Sequence, residues 1–449
     1  MADYSKIFKA YDIRGIVPDE LDEGVAEAVG GAFARLTGAS SIAVMHDMRT
    51  SSPLLGDAFA RGACARGADV IAGGLGSTDM LYYASGSLGI PGAMITASHN
   101  PPKYNGIKLC RAGAKPVGAD SGLTELRAMA EDGLPAAERP AGTVTARDLL
   151  SGYASYLKTL VDLSRIRPLT VAVDAGNGMA GHTVPQVFKG LPITLVPLFF
   201  ELDGSFPNHE ANPIDPANLV DLQRAVLEHG ADVGLAFDGD ADRCFVVDER
   251  AEIVSPSVLT ALIAVRELDR EPGATIIHNL ITSRAVPQIV TEHGGHPVRT
   301  RVGHSFIKAR MAETGAIFGG EHSGHFYFRD FWFADSGMLA ALHVLAALGG
   351  QDGPLSRLLA SFGRYVASGE INSEVADQQA STEAVRRAFA GRPGVSTDEL
   401  DGLTVTGDGW WFNVRPSNTE PLLRLNVEAA DEHTLAATRD EVLRIVRGG

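Results

Sequence analysis

The sequence predicts an α/β protein: three related mixed α/β domains followed by a smaller C-terminal α+β domain. Two observations predict it. A strand, helix, strand unit recurs three times, and the C-terminal segment carries a hairpin pattern closed by an amphipathic helix. At 449 residues the chain exceeds one ordinary core, which agrees with several domains.

The three units begin at apolar runs 41–45, 169–173 and 274–277. Each run ends in polar residues and leads through a helical pattern to a second run, at 68–72, 192–196 and 297–301. Residues rich in Pro, Gly and Ala at 133–142, the stretch near Arg250 and the segment 362–369 mark the joints. The expected domains are therefore 1–148, 149–250, 251–365 and 366–449. In the last, runs 410–414 and 422–427 form the expected hairpin and 431–446 the closing helix. Trp410 and Trp411 read as core and edge packing rather than a ligand platform.

Formal charge is −16, from 39 Lys+Arg against 55 Asp+Glu, which argues against nucleic acid as a partner. An anionic small substrate would need a locally basic pocket. Cys64, Cys110 and Cys244 have no metal-ligand spacing, and so sparse a set suits a reducing compartment. The first residues lack a signal-peptide pattern, and the most apolar stretch, 338–348, is too short to span a bilayer and is interrupted by His343. The expectation is a soluble, cytoplasmic protein with no membrane partner.

Chemistry-bearing motifs sit between these elements. Thr96-Ala97-Ser98-His99-Asn100-Pro101-Pro102 follows an apolar strand-like run, and the prolines forbid its continuation as helix or central strand. Ser98 is either a displayed reactive hydroxyl or, with Asn100, a residue that satisfies the backbone of a turn. Asp238-Gly239-Asp240-Ala241-Asp242-Arg243 places three carboxylates at alternate positions. In an extended segment these project to one side, and oxygen-only ligands suit Mg²⁺ or Ca²⁺. An EF-hand is the rival reading, with Glu249 at the twelfth position. Arg243 at the sixth position and strand-like flanks oppose it.

Mg²⁺ held by few protein ligands leaves room for a phosphate oxygen, which directs attention to anion-binding groups. Arg415-Pro416-Ser417-Asn418-Thr419-Glu420-Pro421 at the hairpin tip, with Arg424 on the returning strand, has the makings of an anion clamp or is a plain polar turn. Gly320-Glu321-His322-Ser323-Gly324-His325 offers acceptors for sugar hydroxyls, or a helix cap with a buried histidine. His304 and Lys108 are candidate acid/base groups. Gly176-Asn177-Gly178-Met179-Ala180-Gly181 fits a dinucleotide fingerprint, with Glu201 and Asp203 where a ribose would want them. Asp174 directly before the turn opposes that reading, and a tight structural turn is preferred.

Taken with Phe8-Lys9-Ala10-Tyr11-Asp12-Ile13-Arg14-Gly15 and Tyr104-Asn105-Gly106-Ile107-Lys108, these motifs follow the order and approximate spacing of one family. The chain resembles the α-D-phosphohexomutase superfamily, most closely its phosphomannomutase/phosphoglucomutase members. The resemblance implies four domains around a central cleft, each contributing one loop. It implies that Ser98 is phosphorylated in the active enzyme, and that Asp238, Asp240, Asp242 and a Ser98 phosphate oxygen hold Mg²⁺. Arg243 would lie near the transferred group, with Tyr11 and Arg14 lining the cleft. Glu321 and Ser323, with His325 of the same loop, would read the sugar. Arg415, Ser417, Asn418, Thr419 and Arg424 would grip the other phosphate, and Lys108, His99 and His304 would manage protons.

The implied reaction interconverts hexose 1- and 6-phosphates, of mannose or glucose, through a hexose 1,6-bisphosphate that also serves as activator. Small sugar phosphates are the expected partners, and the chain would work as a monomer or weak homodimer. Where some bacterial members place a cation in the third domain's strand-end segment, this chain has Asn279-Leu280-Ile281-Thr282-Ser283-Arg284, so that contact is missing or comes from Arg284. A metal-dependent phosphatase would share Ser98 and the aspartates without needing the clamp, and a silent binding protein would not need them at all. Phosphoglucosamine mutases commonly carry Gln where this chain has His322.

Overall fold

In the computed structural model, which describes residues 3–135, 137, 139–416 and 422–448, four sheets follow one another along the chain. The first orders its strands Ile13–Ile16, Tyr104–Arg111, Gly92–Ile95, Ser41–His46, Asp69–Leu75 and Val144–Ala146, with Lys115–Pro116 paired to Tyr104–Arg111. The second runs Ile253–Val254, Cys244–Asp248, Val233–Phe237, Leu169–Asp174, Ile193–Leu198, and the third His296–Thr300, Thr275–Asn279, Phe318–Gly320, Phe326–Phe328, Ala334–Asp335.

These three sheets share one plan. In each unit the second and third strands lie on either side of the first and parallel to it, and a fourth returns antiparallel to the third. Central strands with both faces covered need continuous apolar runs, which Gly92–Ile95 and Val233–Phe237 supply: all of their residues are buried. The hairpin from third to fourth strand therefore occupies the same place three times. It carries Ser98 in the first domain, Asp238 to Arg243 in the second and Glu321 to His325 in the third.

The fourth sheet is wholly antiparallel, in the order Val366–Glu374, Leu422–Ala429, Trp410–Pro416, Leu403–Gly407, Ser396–Asp398. Strand alternation divides its faces. Phe412, Val414, Leu423, Leu425 and Val427 pack against the helices Gln378–Phe389 and Glu432–Val446. Asn413, Arg415, Arg424, Asn426 and Glu428 occupy the other face. The final helix is capped by Asp431, whose side chain accepts from Thr434 N–H. Trp410 stacks on Phe412 within this core, whereas Trp411 meets Leu280 and Ile281 of the third domain.

One buried cluster runs through the first three domains, from Met45 and Met80 through Val173 and Phe237 to Phe326 and Leu342. The fourth domain keeps a core of its own. No helix among the described residues is long and apolar enough to cross a membrane.

Candidate active site

A cleft of about 1050 Å³ is lined by Tyr11, Arg14, Ser98, His99, Lys108, Asp242, Arg243, His325, Arg415 and Arg424, drawn from all four domains. Ser98 follows the buried strand Gly92–Ile95 and holds a left-handed backbone, φ 50°. That conformation is uncommon for a residue with a side chain and is sustained by its surroundings. Ser98 Oγ donates to Asp238 Oδ2 at 2.7 Å and lies 3.2 Å from His99 Nδ1. A Cβ on Gly239 would come within 2.4 Å of the Ser98 carbonyl oxygen, so glycine at that position lets the carboxylate loop approach the serine loop closely.

The carboxylate loop corrects one expectation. Residues 238–243 form a tight turn between Val233–Phe237 and Cys244–Asp248 rather than an extended segment, with Ala241 left-handed at φ 59°. The turn still brings oxygens of Asp238, Asp240 and Asp242 within 4.8 Å of one another, all buried. Strands on both sides also remove the EF-hand reading, and Glu249 instead accepts from Ser356 N–H at 3.0 Å.

Lys108 Nζ donates to Asp240 Oδ2 and Asp242 Oδ2, both at 2.6 Å, and Thr78 Oγ1 donates to the same Asp240 oxygen at 2.5 Å. Burial and the two neighbouring carboxylates push the Asp238 carboxyl well above the usual range. Burial also acts to raise Asp240 and Asp242, but Lys108 outweighs it; Asp240 is lowered, and Asp242 is brought down to about 2. The same pairing overcomes burial at Lys108 and keeps it protonated.

Asp240 Oδ1 and Asp242 Oδ1 are buried and accept no hydrogen bond. Free carboxylate oxygens converging in a buried turn fit a hard divalent cation. A second grouping, Asp242, His325 and Asp335, fits less well, because Lys308 Nζ lies 2.6 Å from Asp335.

Arg243 links the two loops: Nη2 lies 3.0 Å from His99 Nδ1 and Nε 3.5 Å from Asp238 Oδ2. The Arg243 charge, then burial, hold His99 well below its ordinary value, so its ring is neutral near pH 7. Since a guanidinium can only donate, Nδ1 is the acceptor and Nε2 carries the proton. Burial and Arg243 likewise lower His325, whose Nδ1 is 2.9 Å from Ser323 Oγ. Arg14 bonds Asp12 and Asn100, and burial raises Tyr11.

Glu321 is only 2% exposed. Its Oε1 accepts from Asn279 Nδ2 at 3.1 Å and Gly303 N–H at 3.2 Å, and its Oε2 from Tyr327 at 2.6 Å. On the fourth domain, Arg415 Nη2 donates to Glu370 Oε2 at 2.8 Å, and Arg424 Nη1 lies 3.6 Å from Glu370 Oε1. The side chain of His304 and the clamp residues Ser417, Asn418 and Thr419 lie outside the described residues.

Arg284 does not stand in for the missing cation. It donates to the Gly409 carbonyl at 2.7 Å, lies 3.5 Å from Glu428 and stacks over Tyr365, which commits it to the joint between the third and fourth domains. The glycine fingerprint is a structural turn. Cβ atoms at Gly178 and Gly181 would strike the Gly239 and Phe200 carbonyl oxygens at 2.7 and 2.4 Å, which leaves no ligand space. Sequence reasoning missed Thr78 and Glu370. Only Thr78 had a signal, a polar cluster after a strand.

Consecutive segments match the four domain models of one family. Residues 5–132, 151–251 and 255–365 match phosphoglucomutase/phosphomannomutase alpha/beta/alpha domains I, II and III, and 370–445 match its C-terminal domain. A phosphomannomutase of Escherichia coli is 40% identical over 452 residues, covering 98% of this chain and 99% of that protein. A Xanthomonas campestris protein named phosphohexose mutases is 41% identical over 445 residues, with 98% and 99% covered. The crystal structure of a Burkholderia thailandensis phosphoglucomutase/phosphomannomutase family protein superposes with a TM-score of 0.89 at 34% identity, covering 100% of this chain and 99% of that one. With the aspartate turn and the buried serine in place, the chain belongs to the phosphoglucomutase/phosphomannomutase family of the α-D-phosphohexomutase superfamily, and its reaction is of the phosphohexomutase type.

Proposed function

We propose that this enzyme interconverts hexose 1-phosphates and hexose 6-phosphates, of mannose or glucose, through phosphoserine 98 and a hexose 1,6-bisphosphate. One observation carries the reading: Ser98 Oγ, 2.7 Å from Asp238, opens on the same cleft as Arg415 and Arg424. A hydrolase would have no use for that remote pair. Relatives named phosphomannomutase support mannose phosphates as substrates.

Asp238, Asp240, Asp242 and a phosphate oxygen on Ser98 would hold Mg²⁺, which when bound supplies positive charge against the transferring phosphoryl group. In the forward half-reaction the sugar hydroxyl oxygen attacks phosphorus, the phosphorus–Oγ bond breaks, and the hydroxyl proton replaces the phosphoryl group on Ser98. His99, 3.2 Å from Oγ, and Lys108, held on Asp240 and Asp242, are the groups assigned to handle that proton. Arg14 and Arg243 add positive charge at the transfer end. The bisphosphate then turns over so that Arg415 and Arg424 hold the phosphate just added, and the other phosphoryl group returns to Ser98. The separate core of the fourth domain supports that rearrangement. Sugar phosphates are the only partners this scheme needs, with the chain as a monomer or weak homodimer.

Intact mass after incubation with glucose 1,6-bisphosphate will show one phosphate on the enzyme and none on Ser98→Ala, which will also lose mutase activity in a coupled assay with mannose, glucose and glucosamine phosphates. Full turnover by the alanine variant sinks the reading.

A further inference from the structure

Arg49 lies beneath the serine loop and is 1% exposed. Its Nη1 donates to the carbonyls of Pro101 and Tyr104, both at 2.9 Å, and its Nη2 to those of Ser98 at 2.9 Å and Asn100 at 2.6 Å. Nearly the whole polar capacity of one side chain is thus spent on the 98–104 turn. Behind it, Nε faces Asp47 Oδ2 at 3.3 Å, and Asp47 Oδ1 accepts from Ser52 Oγ at 2.5 Å and Arg49 N–H at 3.0 Å.

The second domain closes over this pair. The Phe206 ring sits 5.1 Å from the guanidinium, and a Cβ on Gly204 would come within 2.6 Å of Arg49 Cα. Phe206, like Ser98, holds a left-handed backbone, at φ 51°. Two uncommon conformations therefore flank the one arginine, and each needs its surroundings to persist.

We propose that Arg49 is the positioning residue for Ser98: by gathering four loop carbonyls onto one planar fork it holds the left-handed backbone that aims Oγ at the incoming phosphoryl group. The proposal rests on the reading of Ser98 as the phosphoryl carrier. Without Arg49 the carbonyls would need other donors in a dry interior, and the turn would relax toward ordinary backbone angles. Lysine is no substitute, because a single ammonium with three donors cannot reproduce the fork. Arg49 is not among the residues that line the cleft, so its loss bears on alignment rather than on substrate contact.

Two full-length variants test this. Arg49→Lys keeps the charge opposite Asp47, and Asp47→Asn combined with Arg49→Met removes both charges, so neither leaves one buried and alone. Ser98 phosphorylation by glucose 1,6-bisphosphate is followed by intact mass, kcat and KM are measured with mannose 6-phosphate, and rates are referred to the folded fraction from thermal melting. Both phosphorylation rate and kcat are expected to fall about 100-fold, the cost of roughly 1 Å of misplacement, with KM changed less than about 3-fold. A wild-type phosphorylation rate per folded molecule in either variant overturns the proposal, as does a loss carried by KM. If wild-type enzyme takes up no phosphate on Ser98, the functional reading fails instead, and that result is separate from either variant outcome.

Discussion

The two ends of the cleft are built differently. At the transfer end Ser98 is 1% exposed and Asp238, Asp240 and Asp242 no more than 2%, in a body where one core runs through three domains. At the clamp end Arg415 and Arg424 are 12% and 31% exposed, on a sheet with its own core. The fourth domain meets the third through Leu280, Ile281 and Trp411, the polar contacts of Arg284, the Arg299–Asp398 pair and the Val302 N–H bond to Asp401. Phosphoryl transfer needs reacting atoms held in line, and buried, mutually bonded groups supply that. On the proposed reaction, Arg415 and Arg424 would release one phosphate and take another, which needs the opposite. Glu370 contacts both arginines with a carboxylate that, on that reaction, phosphate would replace.

The largest effect lies at the rigid end. Asp240→Asn takes a charge from Lys108 and from any bound cation at once. Activity is expected to fall on the order of 10³-fold, comparable with losing a preorganised electrostatic contact. Added Mg²⁺ is expected to raise the melting temperature of wild-type enzyme, and in the variant that rise should vanish. Thermal melting and a coupled assay across a Mg²⁺ titration check both, and a variant that still responds to Mg²⁺ would break the distinction between the two ends.

At the clamp, Arg415→Ala is expected to raise KM about 10- to 100-fold, the range for a lost charge-assisted hydrogen bond. The rise should be equal for the 1- and 6-phosphates if, as proposed, one clamp serves both orientations, and kcat should change less. Steady-state kinetics in both directions decide it, and a loss confined to one isomer refutes the shared clamp. A smaller change follows from Glu370→Gln, which frees the arginines from a partly exposed ion pair. KM is expected to drop roughly 2- to 5-fold, in keeping with the modest worth of such pairs. A rise in KM would show that Glu370 orders the arginines rather than competing for them.

How much of this was legible in the sequence follows the same division. The three repeated units and the chemistry-bearing hairpins could be read because each loop needs residues that a plain turn does not, such as three aspartates in five positions. The shape of the aspartate turn could not, because nothing in composition marks Ala241 as left-handed. Glu370 is an ordinary glutamate on an edge strand until the fold sets it between two arginines. Arg284 looked like a replacement cation because sequence shows that a charge exists and not what already holds it. Thr78 reaches Asp240 across a domain boundary, a pairing that no local pattern encodes.

The last expected effect concerns stability rather than turnover, and it belongs to the rigid body alone. Asp79 is fully buried where three domains meet, accepting from Ser77 of its own domain and, at 2.6 Å each, from Tyr153 of the second and Ser336 of the third. Burial outweighs these donors and raises the carboxyl from 3.8 to about 6. Between those values the folded chain binds the proton and the unfolded chain does not. The stabilisation is therefore fully present below pH 3.8, falls as pH rises and is lost above about 6. The swing amounts to ~3 kcal/mol at most. Asp79→Asn, which never ionises, should melt closest to wild type at pH 4.5 and improve relative to it by pH 7.5, with kcat unchanged because Asp79 does not line the cleft. Thermal melting of both proteins across that range is the measurement, and a difference that does not vary with pH refutes it. Hydrogen exchange sharpens the comparison further: the pH response should appear around Ser77, Tyr153 and Ser336 and be absent from the fourth domain, whose separate core has no contact with Asp79.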